Sequence, residues 1–221
     1  MTLRLAEGEL VGLLGPNGAG KSTTMKMIAG LLEPSAGTVA YAGRPLRDHP
    51  LDARRMLGYL ADQPMILPVF TGWEYISFVA GLYGLKEAEI RRRAMPLVER
   101  LQLTAALHKR ADGYSHGMQQ KLALVAQLAH APQVLLADEP TVGLDPASTL
   151  EVRTILREFC REGHAVLLST HLLEMAQGLC DRVAIMARGM LLIEGAPSEL
   201  AERYGEPLQD LFLRMTGEAA P

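Results

Sequence analysis

Only two cysteines, Cys160 and Cys180, occur in the 221 residues, and no C-x-x-C spacing is present. That argues against a disulfide framework or a cysteine-rich metal site, and it suits a reducing compartment such as the cytosol. Long apolar runs are also missing: the stretch 183–187 is stopped by Arg188 and Gly189, far short of the roughly 18 residues of a membrane span. Met1, Thr2, Leu3 and Arg4 lack the apolar follow-up of a signal peptide. Charge of one sign is lacking too. With 22 basic and 25 acidic residues the formal net charge is −3, so there is no electrostatic footprint for nucleic acid, and none is expected as a partner. The one basic run, Arg91, Arg92 and Arg93, lies in a helical stretch beside Glu87, Glu89 and Glu99 and reads as a solvated helix face. No internal repeat or low-complexity segment is found, and the eleven methionines are scattered as ordinary filling.

What is present is the pattern of an α/β protein. A chain of 221 residues, 48% apolar, can bury a sizeable core as one domain with or without an insert. Strands are expected at 9–14, 38–41, 57–60, 134–137, 165–169, 183–186 and 191–194. Several lack polar alternation, as strands buried on both faces of a mainly parallel sheet do. From Thr71 to about His130 the chain reads as helical, opening on the capping box of Thr71 and Glu74. The expected organisation is an α/β core over about 1–70 and 131–205, a helical subdomain over about 71–130, and a C-terminal tail over about 206–221 with 217–221 frayed.

Gly15, Pro16, Asn17, Gly18, Ala19, Gly20, Lys21 and Ser22 fit G-x-x-x-x-G-K-[ST]. An apolar run precedes them and a helix-compatible run follows, which is the strand–loop–helix context a phosphate-binding loop requires. Glycines let backbone N–H groups turn inward around an anion, and the helix start adds its positive dipole end. Lys21 can reach the β- and γ-phosphates, the Ser22 hydroxyl is placed for Mg²⁺, and Thr23 completes the nucleotide-binding set.

The run from Val134 to Ala137 ends in Asp138 and Glu139. Ligands of open α/β sheets lie beyond the carboxyl ends of the strands, so Asp138 arrives where Mg²⁺ sits under the phosphates, and Glu139 can aim at water beyond the γ-phosphate. Ser115 is placed as the N-cap of a helix whose free N–H groups are open to a ligand. Asp145 followed by Pro146 reads as another N-cap with proline at the first helical position.

Together these residues resemble the nucleotide-binding subunit of ATP-binding-cassette (ABC) transporters, of the bacterial exporter type. Ser115 and Gly117 match the Ser and second Gly of that family's L-S-G-G-Q signature, with His116 at its first Gly and Met118 at its Gln. The stretch Thr141-Val142-Gly143-Leu144-Asp145 resembles the D-loop, and His171 matches the switch histidine. The resemblance implies a RecA-like P-loop NTPase core with an inserted helical subdomain. It also implies ATP hydrolysis with ATP and Mg²⁺ as cofactors, and a head-to-tail dimer with a second nucleotide-binding subunit, identical or not. Lys21 would hold the phosphates, Ser22 and Asp138 the Mg²⁺, Glu139 would be the general base and His171 would sense the γ-phosphate. Ser115, His116, Gly117 and Met118 would face the partner's ATP. The family's glutamine loop falls by spacing at Asp62, with Gln63 as the alternative Mg²⁺ approach. A transmembrane permease subunit would dock around 62–75, which places the chain in the cytoplasm, peripheral on the inner face of the cell membrane.

The chain departs from the family at its start. Only Met1 to Gly8 precede the first strand, so an N-terminal strand and the adenine-stacking aromatic are expected to be missing, with a sheet edge open beside Glu9. Tyr41 is the nearest aromatic in sequence to replace the stack. Two other readings stay open: a regulatory nucleotide-binding module without turnover, and a soluble ABC ATPase not involved in transport.

Overall fold

The computed structural model describes residues 1–217; of the end expected to fray, 218–221 lie outside the described residues. In chain order the elements are β1 (Leu10–Leu14), α1 (Lys21–Ile28), β2 (Ala40–Tyr41), β3 (Arg44–Pro45), α2 (Pro50–Met56), β4 (Leu57–Leu60), α3 (Gly72–Leu82), α4 (Glu87–Arg100), α5 (His116–Ala129) and β5 (Val134–Asp138). They continue as α6 (Pro146–Arg161), β6 (Ala165–Thr170), α7 (Leu173–Leu179), β7 (Arg182–Ala187), β8 (Met190–Gly195), α8 (Pro197–Tyr204) and α9 (Leu208–Thr216). Every expected strand is present. The added one, β3, has two residues ending in Pro45 and pairs only with β2; it has no apolar run to betray it.

Six strands form one sheet in the order β4-β5-β6-β1-β7-β8. All neighbours are parallel except β7 and β8. β1 is central and wholly buried. Its alternate side chains serve two faces: Leu10 and Leu14 join a core with α3 to α7, while Val11 and Leu13 join one with α1 and α2. That three-layer arrangement explains why the strands read as continuous apolar runs.

The edge expected beside Glu9 is not there. Leu10 pairs with Val166 on one side and Val11 with Arg182 on the other. The entry to β1 is tied down as well, by Arg182 Nη1 donating to Glu9 Oε1 (2.6 Å) and Leu10 N–H donating to Asp181 Oδ2 (2.9 Å). Tyr41 is no exposed stacking surface either. It is buried, its hydroxyl donates to the Ile28 carbonyl (2.7 Å), and burial pushes its pKa upward.

Thr71 caps α3 as expected: its Oγ1 accepts from Glu74 N–H (3.2 Å), and Glu74 Oε2 accepts from Thr71 N–H (2.8 Å). On α4, Arg91 and Arg93 pair with Glu87 and Glu89, a solvated face as expected, but Arg93 also donates to the Ala129 carbonyl at the end of α5 (3.5 Å). Ile76, Ile90, Val98 and Leu122 from these helices share one core with Leu135 and Val166 of the sheet. The stretch after 206 forms α9, which buries Leu208, Leu211 and Phe212 in that same core. Both cysteines are free and buried, and burial raises the thiols to about 11 for Cys160 and about 12 for Cys180. Among the described residues no helix is long and apolar enough to cross a membrane.

The turn after α5 stores a pH sensitivity. His130 is buried, stacked on Tyr83 at 3.5 Å and 4° between planes, with no hydrogen-bond partner on either ring nitrogen among the described residues. Burial, and then the charge of Arg93, lower its pKa from 6.5 to about 4. The unfolded chain therefore binds this proton first as pH falls. The stability is complete above pH 6.5 and is lost towards pH 4, by about 2 kcal/mol at pH 5. His130→Phe keeps the stack and removes the titration. In urea unfolding it should match the parent at pH 8 and exceed it by about 2 kcal/mol at pH 5; an equal loss in both proteins would refute this.

Candidate functional site

The carboxyl ends of β1, β5 and β6 lie side by side and bring the phosphate loop, Asp138, Glu139 and His171 to one end of the sheet. After β1 the chain turns through the loop 15–20 into α1. Gly15 is buried where a Cβ would collide with the Met186 carbonyl and lie 2.9 Å from Ala19 Cβ, so glycine is required there. Gly20, at φ +100°, turns the chain into the first turn of α1. Gly189 N–H donates to the Ala19 carbonyl (2.9 Å), strapping the loop to the β7–β8 turn. Lys21 is buried, with Nζ donating to the carbonyls of Gly15 (2.6 Å) and Pro16 (3.2 Å). Pro16 and Ser22 are half-buried, and Asn17, Gly18 and Thr23 are exposed. The result is a concave main chain with an ammonium at its base, a cradle for phosphate oxygens.

Asp138 closes β5 opposite Ser169 of β6. Ser169 Oγ donates to its Oδ1, while Oδ2 is fully buried with no partner among the described residues. An unpaired buried carboxylate oxygen is expensive unless a cation completes it. The donors fit Mg²⁺, which takes one or two protein oxygens and completes its shell with water and phosphate. No group of three or more His, Cys, Asp and Glu side chains that could hold a metal occurs among the described residues.

Glu139 follows with φ +48°, a left-handed conformation that costs a side-chain-bearing residue roughly 1–2 kcal/mol. Strain of this kind gathers at functional sites. Its N–H donates to the Ser169 carbonyl (3.1 Å), and its carbonyl accepts from Val142 N–H (3.2 Å). His171, just past β6, approaches Glu139 Oε1 through Nδ1 at 2.8 Å. An ionised carboxylate only accepts, so Nδ1 carries the proton.

Ser115 and His116 to Met118 stand apart from this cradle, at the start of α5. Ser115 Oγ caps the helix by accepting from Met118 N–H (3.3 Å). Gly117 lies so close to the next turn that a Cβ would meet the Gly143 carbonyl at 2.7 Å, and the His116 ring covers Gly143 from the other side. Asp145 caps α6 through Ser148 N–H (2.9 Å), and that bond first, then the Ser148 hydroxyl, holds its carboxyl below the usual range. Asp62 and Gln63 are both exposed in the loop after β4, where Asp62 Oδ1 accepts from Gln63 N–H (2.9 Å).

Two participants escaped the sequence reading. Ser169 lay inside an apolar strand, and only its position beside an acid-ended strand signalled it. Gln120 donates from α5 to the Glu139 carbonyl (3.5 Å), a contact that no local pattern announces.

A family model described as "ABC transporter" matches residues 1–142. Among curated proteins, the chain is 40% identical over 203 residues to the uncharacterized ABC transporter ATP-binding protein YxlF of Bacillus subtilis, covering 92% of this chain and 67% of that one. It is 36% identical over 215 residues to the ABC transporter ATP-binding protein NatA of the same organism, covering 96% and 87%. It is 37% identical over 213 residues to the Nod factor export ATP-binding protein I of Paraburkholderia xenovorans, covering 96% and 70%. Among solved structures, an ATP-binding subunit of an ABC transporter superposes with a TM-score of 0.92 at 34% identity, covering 97% of this chain and 91% of that one. A bacterial ABC transporter cassette solved as a dimer gives 0.81 at 27% identity, covering 88% of each.

Proposed function

Because this chain belongs to the ATP-binding subunits of ABC transporters, with their α/β fold and their ATPase activity, we propose that it powers export by hydrolysing MgATP in a head-to-tail dimer. One observation carries the chemistry: the unpartnered Asp138 Oδ2 and the Glu139–His171 pair lie at the carboxyl ends of β5 and β6, next to the end of β1 from which the phosphate loop departs. Lys21 and the loop N–H groups bind the phosphates. Ser22 and Asp138 hold Mg²⁺, which when bound screens the phosphate oxygens. Glu139 takes the proton of the attacking water, and His171, in contact with that carboxylate, orients it and senses the γ-phosphate. Catalysis is then positioning and electrostatics.

The dimer accounts for what stands outside the cradle. Ser115, His116 and Gly117 present the start of α5 to a partner's γ-phosphate, next to the turn at Gly143 that follows the exposed apolar Val142. A second apolar surface follows β4: Met65, Leu67 and Val69 in the loop, with Phe78 and Leu82 one turn apart on α3, are all at least half exposed. Apolar surface of this kind marks an interaction site, and we assign it to a transmembrane subunit at the inner face of the membrane. Export is the reading favoured by relatives named for it, such as the Nod factor export ATP-binding protein I.

Shared sites make specific activity rise with protein concentration. Ser115→Arg puts a bulky cation where the partner's phosphate docks and removes the helix cap. It should bind ATP as a monomer, remain monomeric with ATP in size-exclusion chromatography, and lose turnover by about tenfold or more. Concentration-independent activity together with a fully active Ser115→Arg would sink the shared-site arrangement. Absence of turnover at every concentration, with intact ATP binding, would favour the regulatory module instead.

A further inference from the structure

Gln120 lies on α5 only three residues beyond Gly117 and is 1% exposed. Its Nε2 donates to the Glu139 carbonyl (3.5 Å), and its Oε1 is buried without a partner among the described residues. The amide orientation is set by chemistry, because a carbonyl only accepts. A half-paired amide in a core is a poor choice for stability; an apolar side chain of the same length would bury at lower cost. What the amide does touch is the peptide held in a left-handed conformation at φ +48°. It is the one side chain among the described residues that donates to that carbonyl.

We propose that Gln120 is a positioning residue for ATP hydrolysis: it holds the Glu139 main chain in the left-handed turn that aims the carboxylate at the attacking water. This rests on the reading of Glu139 as general base. The peptide is pinned from two directions, by Ser169 on its N–H and by Gln120 with Val142 on its carbonyl. Removing the Gln120 donor leaves the carbonyl to Val142 alone and lets the peptide relax towards ordinary φ values. The carboxylate then swings off line, while the phosphate loop, on a different strand, is untouched. The same helix begins at Ser115, so displacement of α5 reaches the catalytic peptide directly.

The test compares Gln120→Met and Gln120→Glu with the parent full-length chain, measuring kcat, KM for MgATP, ATP affinity and thermal midpoint. Methionine keeps the length and removes the donor. Glutamate keeps the shape and sets an oxygen against the Glu139 carbonyl. Both should lose kcat, roughly ten- to hundredfold, with glutamate the lower. KM and affinity should stay within about twofold, well below the range a lost positioning contact can reach, and the methionine variant should melt no lower than the parent. Parental kcat in both variants would overturn the proposal. So would a fall in kcat that only tracks a fall in midpoint or affinity, since that is what a structural glutamine predicts. Glu139→Gln run alongside separates the two claims: if it keeps turnover, the general-base reading fails; if it is inactive while both Gln120 variants are normal, only the positioning role fails.

Discussion

Glu139→Gln is expected to bind ATP as tightly as the parent and hydrolyse it roughly 10²–10⁴ times more slowly, the range spanned by loss of a positioned general base. The substitution keeps the shape of the side chain and an oxygen that can still accept from His171 Nδ1, now at 2.8 Å from Glu139 Oε1. It also leaves the bond between the Glu139 N–H and Ser169 (3.1 Å) in place. Geometry therefore persists while the basic oxygen is lost. A dimer that forms on ATP and separates on hydrolysis should accumulate in this variant, visible as a stable ATP-dependent species in size-exclusion chromatography. Turnover at the parental rate would remove Glu139 from the chemistry and leave His171 as the base to test.

Lys21→Ala acts one step earlier. Its ammonium lies at the base of the phosphate cradle, buried and donating to Gly15 and Pro16, so it is already positioned to meet an anion. Hydrogen bonds to charged groups are worth roughly 1.5–3 kcal/mol, so ATP affinity measured by calorimetry should fall about ten- to hundredfold. The two carbonyls also lose their donor, and the thermal midpoint should drop by a few degrees, about what a ΔΔG of 1 kcal/mol produces. ATP should restore the parental protein's stability advantage more than the variant's, because ligand stabilisation follows affinity. Unchanged affinity would mean that the loop 15–20 does not bind phosphate.

The sequence was most legible where chemistry demands contiguous residues. Gly15 to Ser22 must be consecutive, because one loop has to wrap one anion, and the apolar runs around it name the strand and helix by themselves. Asp138 and Glu139 were legible for the same reason, as two acids at the end of an apolar strand. So were the caps at Thr71, Ser115 and Asp145, since a cap and its N–H are at most three residues apart. The sequence is silent where a contact joins distant parts of the chain. Beside Glu9 the sequence suggests an open edge, yet β1 is a central, wholly buried strand, because strand order in a parallel sheet is set by crossovers and not by position in the chain. Tyr41, the nearest aromatic in sequence to replace the adenine stack, is instead buried in the core beside α1, with its hydroxyl on the Ile28 carbonyl.

By itself, then, the sequence determined the strands of the main sheet, where the phosphate loop begins, and that Asp138 and Glu139 end a buried strand. Those are properties of periodicity and of neighbours a few residues apart. Only the tertiary structure decided that Ser169 completes Asp138, that His171 meets Glu139 across 32 residues, and that Gln120 reaches 19 residues ahead to the main chain of Glu139. The physical reason is that a parallel sheet sets the ends of β5 and β6 side by side. Two strands about 4.8 Å apart bring a hydroxyl to one carboxylate and an imidazole to the next, whatever the length of chain between them.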